Sequence, residues 1–308
     1  NSGDDIPPQT REFRFKPAVK QNMLLYTHAN QYTAGTDERI NSQIAIQYTG
    51  SYSGSDQYGR IVFSHGKGES TSQPSTGSTE WVPLFDGNFW NLRWFWQATG
   101  SDNGIYNIAA NLNTTYHIQV QQASDYIDDK IIHRASASYT PASDAHRYGW
   151  NAMPIDSDNR QVYLGGYPGD GSTRDQFRVN TNLRRLVEGD NSINFTNTVT
   201  PNMIMYSGSM QEYREWLEDI GQTTFDLHTT NPTSYVSGLD PTASYDTLVR
   251  HYPLGTDLNA VDHTLATHQI LSSSHPAQTI VDAQLPYDNF IISGSTFLFR
   301  SGTLANPA

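Results

Sequence analysis

The sequence predicts an all-β protein, folded as an antiparallel two-sheet sandwich. Three observations predict it: short apolar or alternating runs of strand length, Gly/Ser/Asn-rich punctuation between them, and a near absence of amphipathic helix patterns before residue 200. Composition points the same way. The 308 residues include 18 Tyr, 12 Phe and 6 Trp, and charged residues reach only 16%, against roughly 25% in an average soluble domain. Aromatic side chains suit a pleated, half-buried surface, and Ser, Asn and Gly suit the turns around it.

Along the chain, residues 1–10 read as a flexible lead-in from a processed start, because Asn-Ser-Gly-Asp-Asp-Ile-Pro-Pro is polar and resembles no signal peptide. Phe13 and Phe15 then alternate with Arg14 and Lys16, a half-buried strand. Further strands are expected at Met23–Tyr26, Ile44–Tyr48, Arg60–Phe63, Trp81–Phe85, Phe89–Trp96, Tyr116–Val120, Ile131–Tyr139 and Val162–Leu164. Turn clusters separate them, such as Gly50–Gly54, Gly66–Gly77 and Asp156–Asn159. Asp86-Gly87 lies between two apolar runs and predicts a hairpin. Glu212–Trp216 alternates, so a closing strand is preferred there over a helix, with a short helix starting near Thr223 or Thr224. A boundary falls near 236–245, giving a sandwich over 11–238 and a short, irregular extension or small β subdomain for docking over 239–308. One strong strand, Phe290–Phe299, is expected inside that extension.

Charge excludes several functions. Lys and Arg number 19 against 31 Asp and Glu, a net charge of −12. The densest basic spot is Arg184-Arg185, too little to displace counterions from a phosphate backbone, so neither nucleic acid nor an anionic membrane is an expected partner. The chain has no cysteine, which excludes disulfides, thiolate zinc sites and a thiol nucleophile. No run of about 18 apolar residues spans a bilayer.

Candidate site residues fall into few groups. Trp90, Trp94 and Trp96 share one face by period two, with Phe89, Arg93 and Phe95 on the other. Aromatics on both faces suit a central strand with one side in the core and one on a binding surface, so the three tryptophans are the candidate ligand platform. Asp156, Asp158 and Asp170 flank the Val162–Leu164 strand and are candidate Ca²⁺ ligands, since hard oxygens are what that ion takes; Asp and Asn are equally the ordinary residues of turns. Otherwise no cofactor is expected. His251, His263, His268 and His275 lack the helical i, i+4 spacing of a zinc protease. Neither a Gly-x-Ser-x-Gly elbow nor a phosphate-binding glycine pattern occurs. Glu212, Glu215, Glu218 and Asp219 are the densest acidic run, but their spacing sends them to different faces rather than pairing them across a glycosidic bond. Sequons at Asn113 and Asn194 permit glycosylation.

Four segments together resemble the laminin-G/concanavalin A-like jelly roll, in the form found in structural proteins of large viruses and phages. They are Glu12–Pro17 with Asn22–Tyr26 after it, Trp81–Leu92, Val162–Gly166, and Tyr206–Trp216, in which a Gly precedes an aromatic, alternating strand. Asp226–Pro232 and Arg250–Gly255 resemble segments downstream of this domain in marine viral structural polypeptides. The resemblance covers about residues 10–235. It implies a non-enzymatic component of a virus particle with a lectin-like surface, at the virion or outside the cell. The partners it implies are other virion subunits or further copies of itself, together with a glycan ligand. A free-standing carbohydrate-binding or adhesion module is the alternative, and a glycoside hydrolase of the same fold the third reading.

Overall fold

The computed structural model describes residues 8–30, 40–65, 75–99, 113–124, 130–139, 160–165, 179, 181–189, 203–234, 236–237, 247–252, 254, 269–270, 277–281 and 288–293. These form two sheets facing each other across an apolar core. The first has six strands in the order β12 (Leu248–Tyr252), β11 (Gly208–Trp216), β1 (Thr10–Pro17), β6 (Trp90–Thr99), β7 (Asn113–Ala123), β8 (Ile131–Tyr139), all antiparallel. The second runs β13 (Gln269–Ile270), β14 (Ala277–Val281), β15 (Asp288–Ser293), β9 (Arg160–Leu164), β2 (Met23–Asn30), β3 (Ile40–Tyr48), β4 (Gly59–His65), β5 (Ser75–Ser78), with β10 (Ile204–Met205) beside β2. The two-sheet sandwich expected from the sequence is the observed fold. It is not antiparallel throughout, because β10 runs parallel to β2 and β15 parallel to β9.

Period-two alternation builds the core. Trp90, Leu92, Trp94 and Trp96 of β6 and Tyr116, Ile118 and Val120 of β7 point inward, meeting Met23, Leu25, Ile44, Ile46, Ile61 and Phe63 of the other sheet. The opposite residues of β2, β3 and β4 (Leu24, Ala45, Val62) face outward and are also buried. Helix α1 (Thr181–Glu188) covers them with Leu183 and Val187. Four residues apart, these two side chains lie on one helix face, and a half-buried salt bridge Arg184–Glu188 of 3.2 Å braces the helix. A second helix, α2 (Gly221–Thr230), lies on the outer face of the first sheet, so each sheet is covered by one helix among the described residues.

Several expectations change. Helix α1 carries no long periodic pattern and was not anticipated. Residues 81–85 are not a paired strand: Val82 makes a single bridge to Gly59, and Pro83 has no N–H to extend it. Asp86-Gly87 is therefore not a hairpin. The Asp86 carboxylate accepts from the Asn88 N–H (2.9 Å) and the Gln122 side chain (2.7 Å), making a turn that carries the chain from the core rim into β6. Of the described strands after residue 238, β12 joins the first sheet beside β11 and β15 joins the second beside β9. β15 (Asp288–Ser293), which covers the first four residues of the expected Phe290–Phe299 strand, pairs inside the chain with β9 and β14, and residues 294–299 lie outside the described ones.

A candidate ligand face on the first sheet

Apart from Phe95 and Ile132, the outward residues of β6, β7 and β8 are polar, and α2 ties several of them into one network. Arg93 donates to the Gln119 amide oxygen (2.8 Å), the Gly221 carbonyl (2.7 Å) and the Gln222 amide oxygen (3.3 Å). Gln121 donates to Thr229 Oγ1 (2.7 Å) and accepts from Arg134 (3.1 Å). Gln222 in turn donates to Asp226 (2.6 Å), which also holds Arg134 at 2.7 Å. Amides suit this task because each both donates and accepts, so a layer of Gln side chains satisfies itself under a helix.

Beyond the first turn of α2, this layer opens into a groove of about 490 Å³. Its floor is a ring pair, Phe95 and His117, stacked at 4.8 Å and 13°. Its walls are Gln119 and Gln222 on one side and Ser136 and Ser138 of β8 on the other. Both serines are exposed; Phe95 is buried, with the Arg93 guanidinium over its ring at 4.4 Å, and His117, stacked beside it from the neighbouring strand, is half-exposed. Burial lowers the pKa of the His117 imidazole, with Asp219 opposing and Arg93 adding to the effect. Near pH 7 the ring is therefore a neutral, flat surface. Hydroxyls, amides and a backed ring in an open trough are groups that can hydrogen-bond a polyhydroxylated ligand and stack on its apolar face.

The tryptophans expected to form the ligand platform are elsewhere. Trp90, Trp94 and Trp96 are 0%, 1% and 5% exposed and pack between the sheets, with Trp94 edge-on to Tyr26 at 6.0 Å. That expectation is corrected: their common face turns to the core, because the opposite face of β6 is the one α2 and the groove use. Asp156, Asp158 and Asp170 lie outside the described residues, so their candidacy for Ca²⁺ is untouched; among the described residues no cluster of three or more His, Asp or Glu is gathered as for a metal. His117, Gln119 and Ser138 were not singled out in the sequence, where polar alternation on a strand reads as a solvated face. The signal that could have found them was the run of neutral polar residues at His117, Gln119 and Gln121, where a solvated face would carry charges.

The acidic run separates as its spacing implied: Glu212, Glu215 and Asp219 are held in ion pairs, and Glu218 accepts from the Thr247 hydroxyl (2.5 Å). Glu215 points into the core, fully buried, and binds Arg11 at 2.6 Å, Arg250, and the Tyr213 hydroxyl at 2.6 Å. Glu212 lies in a left-handed bulge (φ 54°) and holds Arg214 and His251, each at 2.7 Å. Glu12, one strand over, contacts His228 at 2.8 Å, the Trp216 indole N–H at 3.0 Å and Arg214 at 3.3 Å. Burial alone raises the Glu12 carboxyl, but His228, Arg214 and Trp216 outweigh it and hold the group down at about 2. Burial likewise opposes ionisation of Glu215, and Arg250 and Arg11 overcome it, leaving it well below the usual carboxylate range. A glycosidase acid needs the opposite shift.

No protein-family model matches the chain, and no curated protein matches it. Among solved structures, the CBM40 of the Ruminococcus gnavus IT-sialidase is similar over 73% of this chain and 84% of that one, at 13% identity and a TM-score of 0.35. At that score the likeness is too slight to transfer anything from one protein to the other.

Proposed function

We propose that the chain is a non-catalytic carbohydrate-binding module that takes its ligand in the groove over Phe95 and His117. The observation that carries the reading is the groove's make-up: a ring pair at 4.8 Å forming the floor of an open trough, with the exposed Ser136 and Ser138 on its wall. The non-catalytic part is supported by Glu12, Glu212 and Glu215, whose carboxylates are committed to arginine and histidine partners rather than facing the trough. The setting we propose is the surface of a virus particle or another extracellular surface, on the strength of the sequence segments alone; co-purification with particles tests it.

An array of neutral and acidic glycans, read by direct binding, tests the function. Binding to a defined set of glycans is expected, with His117→Ala weakening it by about tenfold or more, the scale of one lost stacking contact plus hydrogen bonds. The far-ultraviolet circular dichroism of the variant should match that of the parent chain. An array silent throughout, or binding that His117→Ala leaves unchanged, overturns the groove as the site. Sugar release from any bound polysaccharide overturns the non-catalytic part.

A further inference from the structure

The outer face of the first sheet has a second hollow, at the other end of α2. Its volume is about 330 Å³, within the range of small-ligand sites. Its walls are Arg14 and Lys16 of β1, Asn88 and Phe89 before β6, Ser124 after β7, and Thr230 of α2. Among the described residues, no carboxylate lines it.

Its charge is unusual for this chain. Arg14 and Lys16 are two residues apart on one strand, so they share a face, and both cations sit over the Phe89 ring, at 4.7 and 4.9 Å from its centroid. The ring's negative face offsets part of their mutual repulsion and fixes where they stand. Asp86, the carboxylate next to the Gly87 wall, is already engaged by Asn88, Gln122 and the Trp90 indole N–H. A helix C-terminus ordinarily repels anions; here the charges of Arg14 and Lys16 oppose it, and of the last carbonyls of α2 that of Leu227 accepts from the Asn231 N–H (2.7 Å) and the Thr230 hydroxyl (3.2 Å). On a chain of net charge −12, two cations held together at an open hollow lined with amides and hydroxyls make a place for one anionic group with hydroxyls around it.

We infer that this hollow binds the carboxylate or sulfate of an acidic saccharide. Arg14 and Lys16 take the oxyanion, and Asn88, Ser124 and Thr230 take neighbouring hydroxyls. The inference rests on the carbohydrate-binding reading and names its ligand class.

The test is calorimetric titration of the intact chain with four probes: a uronic-acid trisaccharide, its neutral carboxyl-reduced counterpart, a sulfated analogue of the neutral sugar, and a hexaglutamate peptide. The uronic or the sulfated sugar is expected to bind about tenfold or more tighter than the neutral one, the scale of one charge-assisted hydrogen bond. Whichever of the two is preferred identifies the oxyanion. Arg14→Ala/Lys16→Ala should abolish the preference. Equal affinity for acidic and neutral sugars overturns the inference and leaves the carbohydrate reading standing. A preference that survives the double variant, or a peptide bound as tightly as the acidic sugar, also overturns it. If the glycan array is silent and all three sugars fail here as well, the carbohydrate reading falls with it.

Discussion

Glu12 shows how one side chain couples helix, strand and acid sensitivity. It is 3% exposed, and its oxygens face His228 from α2, Arg214 and Trp216 from β11. Its carboxyl titrates at about 2 in the folded chain against an ordinary 4.5. The stabilisation is therefore fully present above about pH 4.5 and is lost as pH falls toward 2, amounting to roughly 3 kcal/mol over that window. Denaturant unfolding between about pH 6 and pH 2 should show this loss, and Glu12→Gln should flatten the slope while lowering stability at neutral pH, since Arg214 loses a counter-charge. An unchanged slope in the variant would assign the acid sensitivity to other carboxylates. None of these partnerships was legible in the sequence: the residues brought to Glu12 lie more than 200 positions away, and nothing in a single chain's pattern marks a polar residue as buried.

At the scale of elements, strands were the most legible feature, because alternation and aromatic content act through local geometry. Phe13 and Phe15, Ile44 and Ile46, and the tryptophans of β6 were all expected in strands and lie in them. Which face of a strand meets the core was harder. Both sides of β6 are buried, one by the facing sheet and one by α2, so hydrophobicity could not tell the platform from the packing. Helix α1 escaped notice because it is short and packs through few residues, Leu183 and Val187 with the partly buried Leu186. The glycine that opens β11 has a clear physical role. Gly208 has φ 156°, and a Cβ there would run into the Lys16 carbonyl and, at 2.5 Å, the Tyr206 hydroxyl. Gly208→Ala should cost at least about 2 kcal/mol by forcing β11 away from β1. Gly50→Ala, at φ 78° with open space around it, should cost only about 1 kcal/mol. Thermal melts of the two variants compare them, and equal losses would refute the steric account.

For the molecule as a whole, the layered order was legible and the pairing was not. Composition and turn spacing announce two sheets; strand order depends on contacts far apart in sequence. The first sheet is the extreme case. Its inner strand β1 lies between β6 and β11, and Arg11 meets Glu215 across a separation of 204 residues. A chain ended just before Gly208 would keep every strand from β1 to β10 yet leave β1 bare along one side. Such a fragment is expected to lose cooperative unfolding in urea, whereas a sharp transition would show that β11 is dispensable. The same arrangement bears on biosynthesis. At ribosomal speeds of about 5–20 residues per second, the opening strand leaves the ribosome roughly 10–40 seconds before the strand that closes over it. Through that interval Phe13 and Phe15 have an unclaimed backbone edge beside them, so the nascent chain is most open to mispairing with its neighbours along β1.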